Sequence, residues 1–258
     1  MASPAQLLAR DLRTELRALR AVTTSTRRSS RAVRARLAES VFLNGVTEFE
    51  SFLERVFYLA VCRRIRPGGT VPLISIGDED ALRRIVLRPG ESYLEWLPLD
   101  RSLKRASQFL DGGMPFARLE RRAAVKDGLR AALVIRNAVA HKSDAARARF
   151  RQEAGDAYAT PGDYLIAGSA GRTVCDAFLA DLARYGEALC VSEARATVLL
   201  GPEGPFETGK KVDAGQYRCE QCQTIHVLGE GRALACATCD PPCSECGAVN
   251  RTARFRPL

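Results

Sequence analysis

Residues 32–66 read AVRARLAESVFLNGVTEFESFLERVFYLAVCRRIR. Val46, Phe49, Leu53, Val56, Phe57 and Ala60 recur there at steps of three and four, the spacing of one helical face. The periodicity predicts one long helix over 32–66, stopped by Pro67-Gly68-Gly69, because proline donates no N–H and glycine readily leaves helical geometry. Glu50 breaks the pattern. At about 100° per residue it falls inside the apolar arc, between Val46, Leu53, Phe57 and Val61, whereas Glu48 and Glu54 lie at its edges. A carboxylate in that position is costly unless paired, and Arg136 is the partner expected for it. The plainer reading is a partly exposed glutamate at a seam of the bundle.

Outward from this helix the chain stays helical. Leu8, Leu12, Leu16 and Leu19 mark an N-terminal helix that ends at the polar stretch TTSTRRSSR, residues 23–31, a loop or a capped break. After Gly69, PLISI (72–76) reads as a short strand or a buried extended piece, and 78–87 as a short helix capped by Asp78. Helical spacing returns over 99–110, closed by Asp111-Gly112-Gly113, then over 118–140 and 169–190. The expected organisation is a mainly α domain over 1–200, a linker at 201–214 with its glycines and prolines, and a small module over 215–258.

The chain has 258 residues, 46% of them hydrophobic, enough for one sizeable core with an appended module. Its formal charge of +9 suits a polyanionic partner such as nucleic acid, although arginines scattered over helix faces read equally well as a solvated surface. The N-terminal MASPAQLLARDLRTELRALR contains acidic residues and no unbroken apolar run, so neither a signal peptide nor a membrane span is expected. A reducing, cytoplasmic location follows as the expectation. Of nine cysteines, Cys62, Cys175 and Cys190 stand alone in apolar helical segments and read as buried thiols, while six crowd into 219–246.

Those six form three pairs, Cys219-x-x-Cys222, Cys236-x-x-Cys239 and Cys243-x-x-Cys246. Two such pairs supply the four thiolates of a structural zinc site, and a module of this length has too little core to fold without metal. Between the first two pairs, residues 224–228 alternate toward Gly229-Glu230-Gly231 and 232–235 follow, which predicts a β-hairpin. Gly247 after Cys246 favours the set Cys219, Cys222, Cys243 and Cys246, and the competing set replaces the last two with Cys236 and Cys239. The spare pair holds a second zinc or shares the first through bridging thiolates. His226 reads as a strand residue rather than a ligand. YRCEQC…GEGRAL…PPCSECG resembles a small bacterial zinc ribbon; an all-cysteine site leaves no open position for substrate, so its zinc is structural.

The remaining histidine is His141, in Arg136-Asn137-Ala138-Val139-Ala140-His141. A histidine that titrates near neutrality, beside a permanent cation, suits proton transfer from a ribose 2′-hydroxyl while the guanidinium holds the phosphate. Five residues of helix rotate the side chains about 140° apart, so the pair cooperates only if the helix ends near Ala140 or if two copies meet. Ser143-Asp144 can cap a following helix, which allows such an end. The plainer reading is a helix-end histidine serving terminal carbonyls.

RNAVAH resembles the arginine, polar residue and histidine motif of the HEPN superfamily. Its flanks, FESFLE at 49–54, YLEWLP at 93–98 and PGDYL at 161–165, are similar to the branch called RiboL-PSP-HEPN, over roughly 35–190. The resemblance implies an all-α bundle that dimerises with two motifs facing each other. It also implies a metal-independent endoribonuclease of toxin or defence type, leaving a 2′,3′-cyclic phosphate and a 5′-hydroxyl. On that template His141 is the general base or acid, Arg136 stabilises charge on the phosphorane and Asn137 orients the phosphate or the histidine. Glu50 enters as the partner of Arg136. The alternative is a non-catalytic adaptor, in which the helical domain dimerises and the ribbon recruits nucleic acid or a protein partner.

Overall fold

The computed structural model describes residues 2–74, 76–87, 93–141, 143–169 and 172–200 and, beyond them, the backbone at 206–207, 211–212, 215–219, 225–228, 232–233 and 254–257. The chain is mainly helical. In order come α1 (Pro4–Ser25), α2 (Arg31–Val61), α3 (Glu79–Val86), α4 (Leu99–Phe109), α5 (Ala117–Glu120), α6 (Ala123–Ala140), α7 (Asp144–Ala154) and α8 (Pro161–Leu165). A small ladder of β1 (Gly168–Ser169) and β2 (Arg172–Thr173) precedes α9 (Val174–Cys190) and α10 (Glu193–Leu200). Among the described residues no helix is long and apolar enough to cross a membrane.

Local chemistry sets where the helices begin and end. Ser3, Ser30, Asp78, Ser143, Thr160 and Thr173 cap α1, α2, α3, α7, α8 and α9 with side-chain oxygens that accept otherwise unpaired N–H groups. α1 continues past the expected break at 23 because Thr23, Thr24, Ser25 and Thr26 turn their hydroxyls back onto the carbonyls of Arg20 and Val22. α2 stops at Val61, five residues before the expected end. There Arg63 takes φ 58°, its N–H bonds the Ala60 carbonyl at 3.1 Å, and Arg64 N–H reaches back to Leu59 at 2.8 Å. That is a Schellman closure with arginine in the left-handed position.

Two other expectations change. The single helix predicted over 118–140 is divided, because Arg122 adopts an extended conformation between α5 and α6 and sends its side chain inward. In the PLISI stretch, Leu73 N–H bonds the Phe109 carbonyl and Pro72 bridges Leu110, so the piece is extended; Leu73 and Ile74 are nevertheless more than half exposed. The piece is therefore not a buried one.

α1, α2 and α9 form the heart of the bundle. They pack closely at Gly45, where a Cβ would collide with Leu179. Phe49, Leu53, Val56 and Phe57 of α2 are fully buried, each contributing roughly 1.5–3 kcal/mol of transfer free energy. Trp96 packs against Phe57 and Phe116 and carries the Arg105 guanidinium on its face. Arg118 and Arg122 are also buried. Arg118 donates to the carbonyls of Ala188 and Val191 at the end of α9 and to that of Gly68. Its Nε meets Glu193 Oε2 at 2.7 Å as an ion pair, though not in hydrogen-bond alignment. Arg122 reaches the other Glu193 oxygen and Thr197 Oγ1, so one carboxylate of α10 serves two interior cations. Burial pushes the Arg118 pKa down, and the Glu193 charge opposes that shift. Gly68, at φ 59°, is required where it stands, because a side chain there would occupy the place of the Arg118 guanidinium.

Beyond α10 the backbone forms β3 (Phe206–Glu207), β4 (Lys211–Val212), β5 (Gly215–Cys219), β6 (Ile225–Leu228), β7 (Arg232–Ala233) and β8 (Arg254–Pro257). One sheet has the order β3-β8-β5-β6, and β4 pairs with β7. The hairpin partner of 225–228 is thus 215–219, with Tyr217 opposite His226, rather than 232–235 as expected. Alternation marks a strand but does not say which neighbour takes which edge. The 201–214 segment, expected to be a linker, supplies β3 and β4. Cys62, Cys175 and Cys190 are buried free thiols. Cys219 ends β5, and Cys222, Cys236, Cys239, Cys243 and Cys246 lie outside the described residues.

Candidate active site

α6 buries Val125, Leu129, Ala132, Ile135 and Ala138 against the bundle, which leaves the following residues, Arg136 and Asn137, at the edge of its apolar face. Arg136 faces α2 there. Its Nη2 lies 4.0 Å from Glu50 Oε2, and its Nη1 donates to Asn137 Oδ1 at 3.3 Å. With that oxygen engaged, the Asn137 amide nitrogen is the donor left for a ligand. The Arg136 side chain is 37% exposed, so it is within reach of a ligand from solvent.

Glu50 is fixed from a second direction. Its Oε1 accepts the Leu97 N–H at 3.3 Å. Leu97 is placed by its neighbour Trp96, which is fully buried and whose carbonyl accepts the Ser102 hydroxyl. The carboxylate therefore spans a backbone amide and a guanidinium at the seam between α2, α6 and the 94–98 segment. Phe49 and Leu53 on either side are fully buried.

α6 ends at Ala140. His141 is its C-cap, with extended backbone angles of −114° and 96°, and its N–H bonds the Asn137 carbonyl at 2.8 Å. The backbone leaves the helix at His141, so the separation of about 140° that a continuous helix would impose on Arg136 and His141 does not apply. The His141 residue is exposed, and no hydrogen bond or ion pair engages its ring among the described residues. Ser143 starts α7 immediately afterwards, with its hydroxyl accepting the Ala146 N–H.

The structure thus gathers Glu50, Arg136 and Asn137 into one contact group and sets His141 at the end of the same helix. In one copy the group offers a cation, an amide donor and an unengaged imidazole, which are the functions needed to hold a phosphate and move a proton.

No family model matches the chain, and no curated protein or solved structure does either. The resemblance to HEPN proteins therefore rests on RNAVAH and its three flanks. Two of those flanks, the 49–54 and 93–98 segments, meet at Glu50 through the Leu97 amide. The third, 161–165, is α8, whose Gly162 N–H bonds Glu39 of α2 at 3.0 Å.

Two features beside the site were not foreseen. The Leu97 amide is backbone and has no letter of its own. Arg147 and Arg151 on α7 are one turn apart and flank the buried Phe150, and their i, i+4 spacing was a usable signal.

Proposed function

We propose that the helical part of this chain is a metal-independent endoribonuclease of HEPN type acting as a two-fold dimer, in which two Arg136–His141 motifs share one RNA strand. The observation that carries the reading is the group in which Glu50 of α2 meets Arg136 and Asn137 of α6, the helix that His141 caps. In the reaction the ribose 2′-oxygen attacks the adjacent phosphorus and the bond to the 5′-oxygen breaks. One His141 takes the 2′-hydroxyl proton, and the His141 of the second copy donates a proton to the departing 5′-oxygen. The products are a 2′,3′-cyclic phosphate and a 5′-hydroxyl, so atoms and charge balance without an added reactant. Arg136, oriented by Glu50, meets the charge that grows on the phosphorane oxygens, and the Asn137 amide donates to a second oxygen.

For the C-terminal cysteines we propose structural zinc, one ion or two. Cys219 ends β5, which pairs antiparallel with β6, and a thiolate at a strand end suits a zinc ribbon. Cys219 and Cys222 with Cys243 and Cys246, or with Cys236 and Cys239, would hold the ion, which ties strand ends together and takes no part in RNA cleavage.

The test is an RNA digest by the purified full chain in a chelator too weak to strip thiolate zinc. Cleavage should persist with cyclic phosphate ends. His141→Ala and Arg136→Ala should each slow it by on the order of a hundredfold or more with folding unchanged, and Arg136→Lys should be nearly as poor, lacking a planar two-donor face. A wild type that cuts no RNA, with both alanine variants binding RNA as it does, overturns the nuclease and leaves the adaptor.

A further inference from the structure

Beside the Arg136 group, and apart from it, α2, α6, α7 and α8 enclose a cleft of about 710 Å³. Its volume is in the range that accommodates a small organic ligand. Ala138 and Val139, between Asn137 and His141, contribute to its wall, so the cleft adjoins the motif helix directly. Ala32, Ala35 and Pro161 add further apolar surface, with buried Phe150 beneath. On α2, Glu39 of the cleft and Glu50 of the site are eleven residues apart, roughly 16 Å along the axis.

The rim is cationic. Arg31, Arg36, Arg147 and Arg151 line it against two carboxylates, Glu39 and Asp163, a local balance of +4 and −2 that leaves +2. Both carboxylates are committed. Asp163 accepts from the Thr160 hydroxyl at 2.8 Å and pairs with Arg31 at 2.8 Å, interactions that hold its pKa below the usual range against the opposing effect of burial. Glu39 accepts the Gly162 N–H and lies 3.7 Å from Arg36. On the opposite wall Arg147 has, among the described residues, only Asp144 as an ion-pair partner, fully exposed and 3.8 Å away. The Arg151 guanidinium has no ion pair or hydrogen bond among the described residues. Two guanidinium groups one helical turn apart thus line a small-residue floor with no buried counter-charge of their own among the described residues.

We infer that this cleft is a subsite for one nucleotide of the RNA strand beside the cleaved bond, its phosphate held by Arg147 and Arg151 and its sugar and base lying on the floor of Ala35, Ala138 and Val139. The choice of RNA rests on the nuclease reading above. Continuity with Arg136 along α6 favours a polymer that crosses both places, and the two arginines set against apolar surface match a ligand with an anionic edge and a flat face.

The experiment uses the full chain carrying His141→Ala, so that RNA is bound but not cut, and follows the anisotropy of a labelled single-stranded RNA. Arg147→Gln and Arg151→Gln should each weaken binding by roughly tenfold and flatten the dependence of affinity on salt, by about 0.7 in the log–log slope for each phosphate no longer neutralised. Arg149→Gln removes the same charge from the same helix, outside the cleft, and should change affinity less than about twofold. With His141 present, the cleft variants should raise KM and leave kcat within about twofold. If Arg149→Gln weakens binding as much as Arg151→Gln, or if neither cleft variant weakens it, the inference is overturned. It is also overturned if the cleft variants bind RNA normally but no longer bind a glutamate-rich peptide, which makes the cleft a protein dock. RNA bound through Arg147 and Arg151 but never cut by the wild type would sink the nuclease and keep the subsite. RNA cut with a KM indifferent to both arginines would do the reverse.

Discussion

Glu50 holds a backbone amide with one oxygen and faces a guanidinium with the other, and the two tasks respond differently to substitution. Glutamine keeps an acceptor for the Leu97 N–H and removes the charge opposite Arg136. Alanine removes both and leaves a part-buried N–H without a partner, at a cost of about 1–3 kcal/mol. Glu50→Gln should therefore unfold in urea within about 0.5 kcal/mol of wild type while its single-turnover RNA cleavage falls by roughly tenfold. Glu50→Ala should be impaired in both stability and cleavage. Equal destabilisation by the two substitutions would show that the carboxylate charge, and not its acceptor oxygen, holds the 94–98 segment in place. Glu50 was legible in the sequence because its phase places a charge inside an apolar arc. Its approach to Arg136 followed from pairing chemistry, and only the Leu97 amide was hidden.

At the level of elements, helix starts were easier to read than helix ends. Asp78 and Ser143 were visible as caps because a short oxygen-bearing side chain does its work within three residues. The end of α2 was misplaced because Pro67-Gly68-Gly69 is the stronger chemical signal, whereas the actual stop uses arginine at φ 58°. The break between α5 and α6 was invisible for a different reason: Arg122 leaves the helix to reach Glu193 and Thr197, partners more than seventy positions away. Arg63 offers a direct check. A left-handed conformation costs a residue with a Cβ roughly 1–2 kcal/mol, and the added freedom of glycine in the unfolded chain returns about 0.4–1 kcal/mol of that. Arg63 is exposed, so Arg63→Gly should stabilise the protein by about 0.5–1 kcal/mol in urea unfolding. A decrease in stability would mean that the Arg63 side chain contributes more than its backbone conformation costs.

For the whole molecule, mainly α character was readable from periodicity, while the edge pairing of the C-terminal strands was not. One copy of the chain sets one exposed His141 at the end of α6, and the proposed chemistry assigns the base and the acid to the His141 residues of two copies. Sedimentation of the full chain at micromolar concentration should give a dimer, and elemental analysis under reducing conditions should return one zinc per chain or two. A clean monomer would remove the shared site, and less than about half an equivalent of zinc would remove the ribbon. The pairing of Arg118 and Arg122 with a single carboxylate also sets a lower limit on what can fold alone. Glu193 stands at the start of α10, the last helix among the described residues, yet it pairs with Arg122 and with Arg118, which caps α9 and donates to the Gly68 carbonyl. A chain cut short before Glu193 would keep almost every apolar residue of the bundle and still leave two positive charges in its interior without this counter-ion. Truncation before α10 should therefore destabilise the bundle through electrostatics more than through lost hydrophobic content.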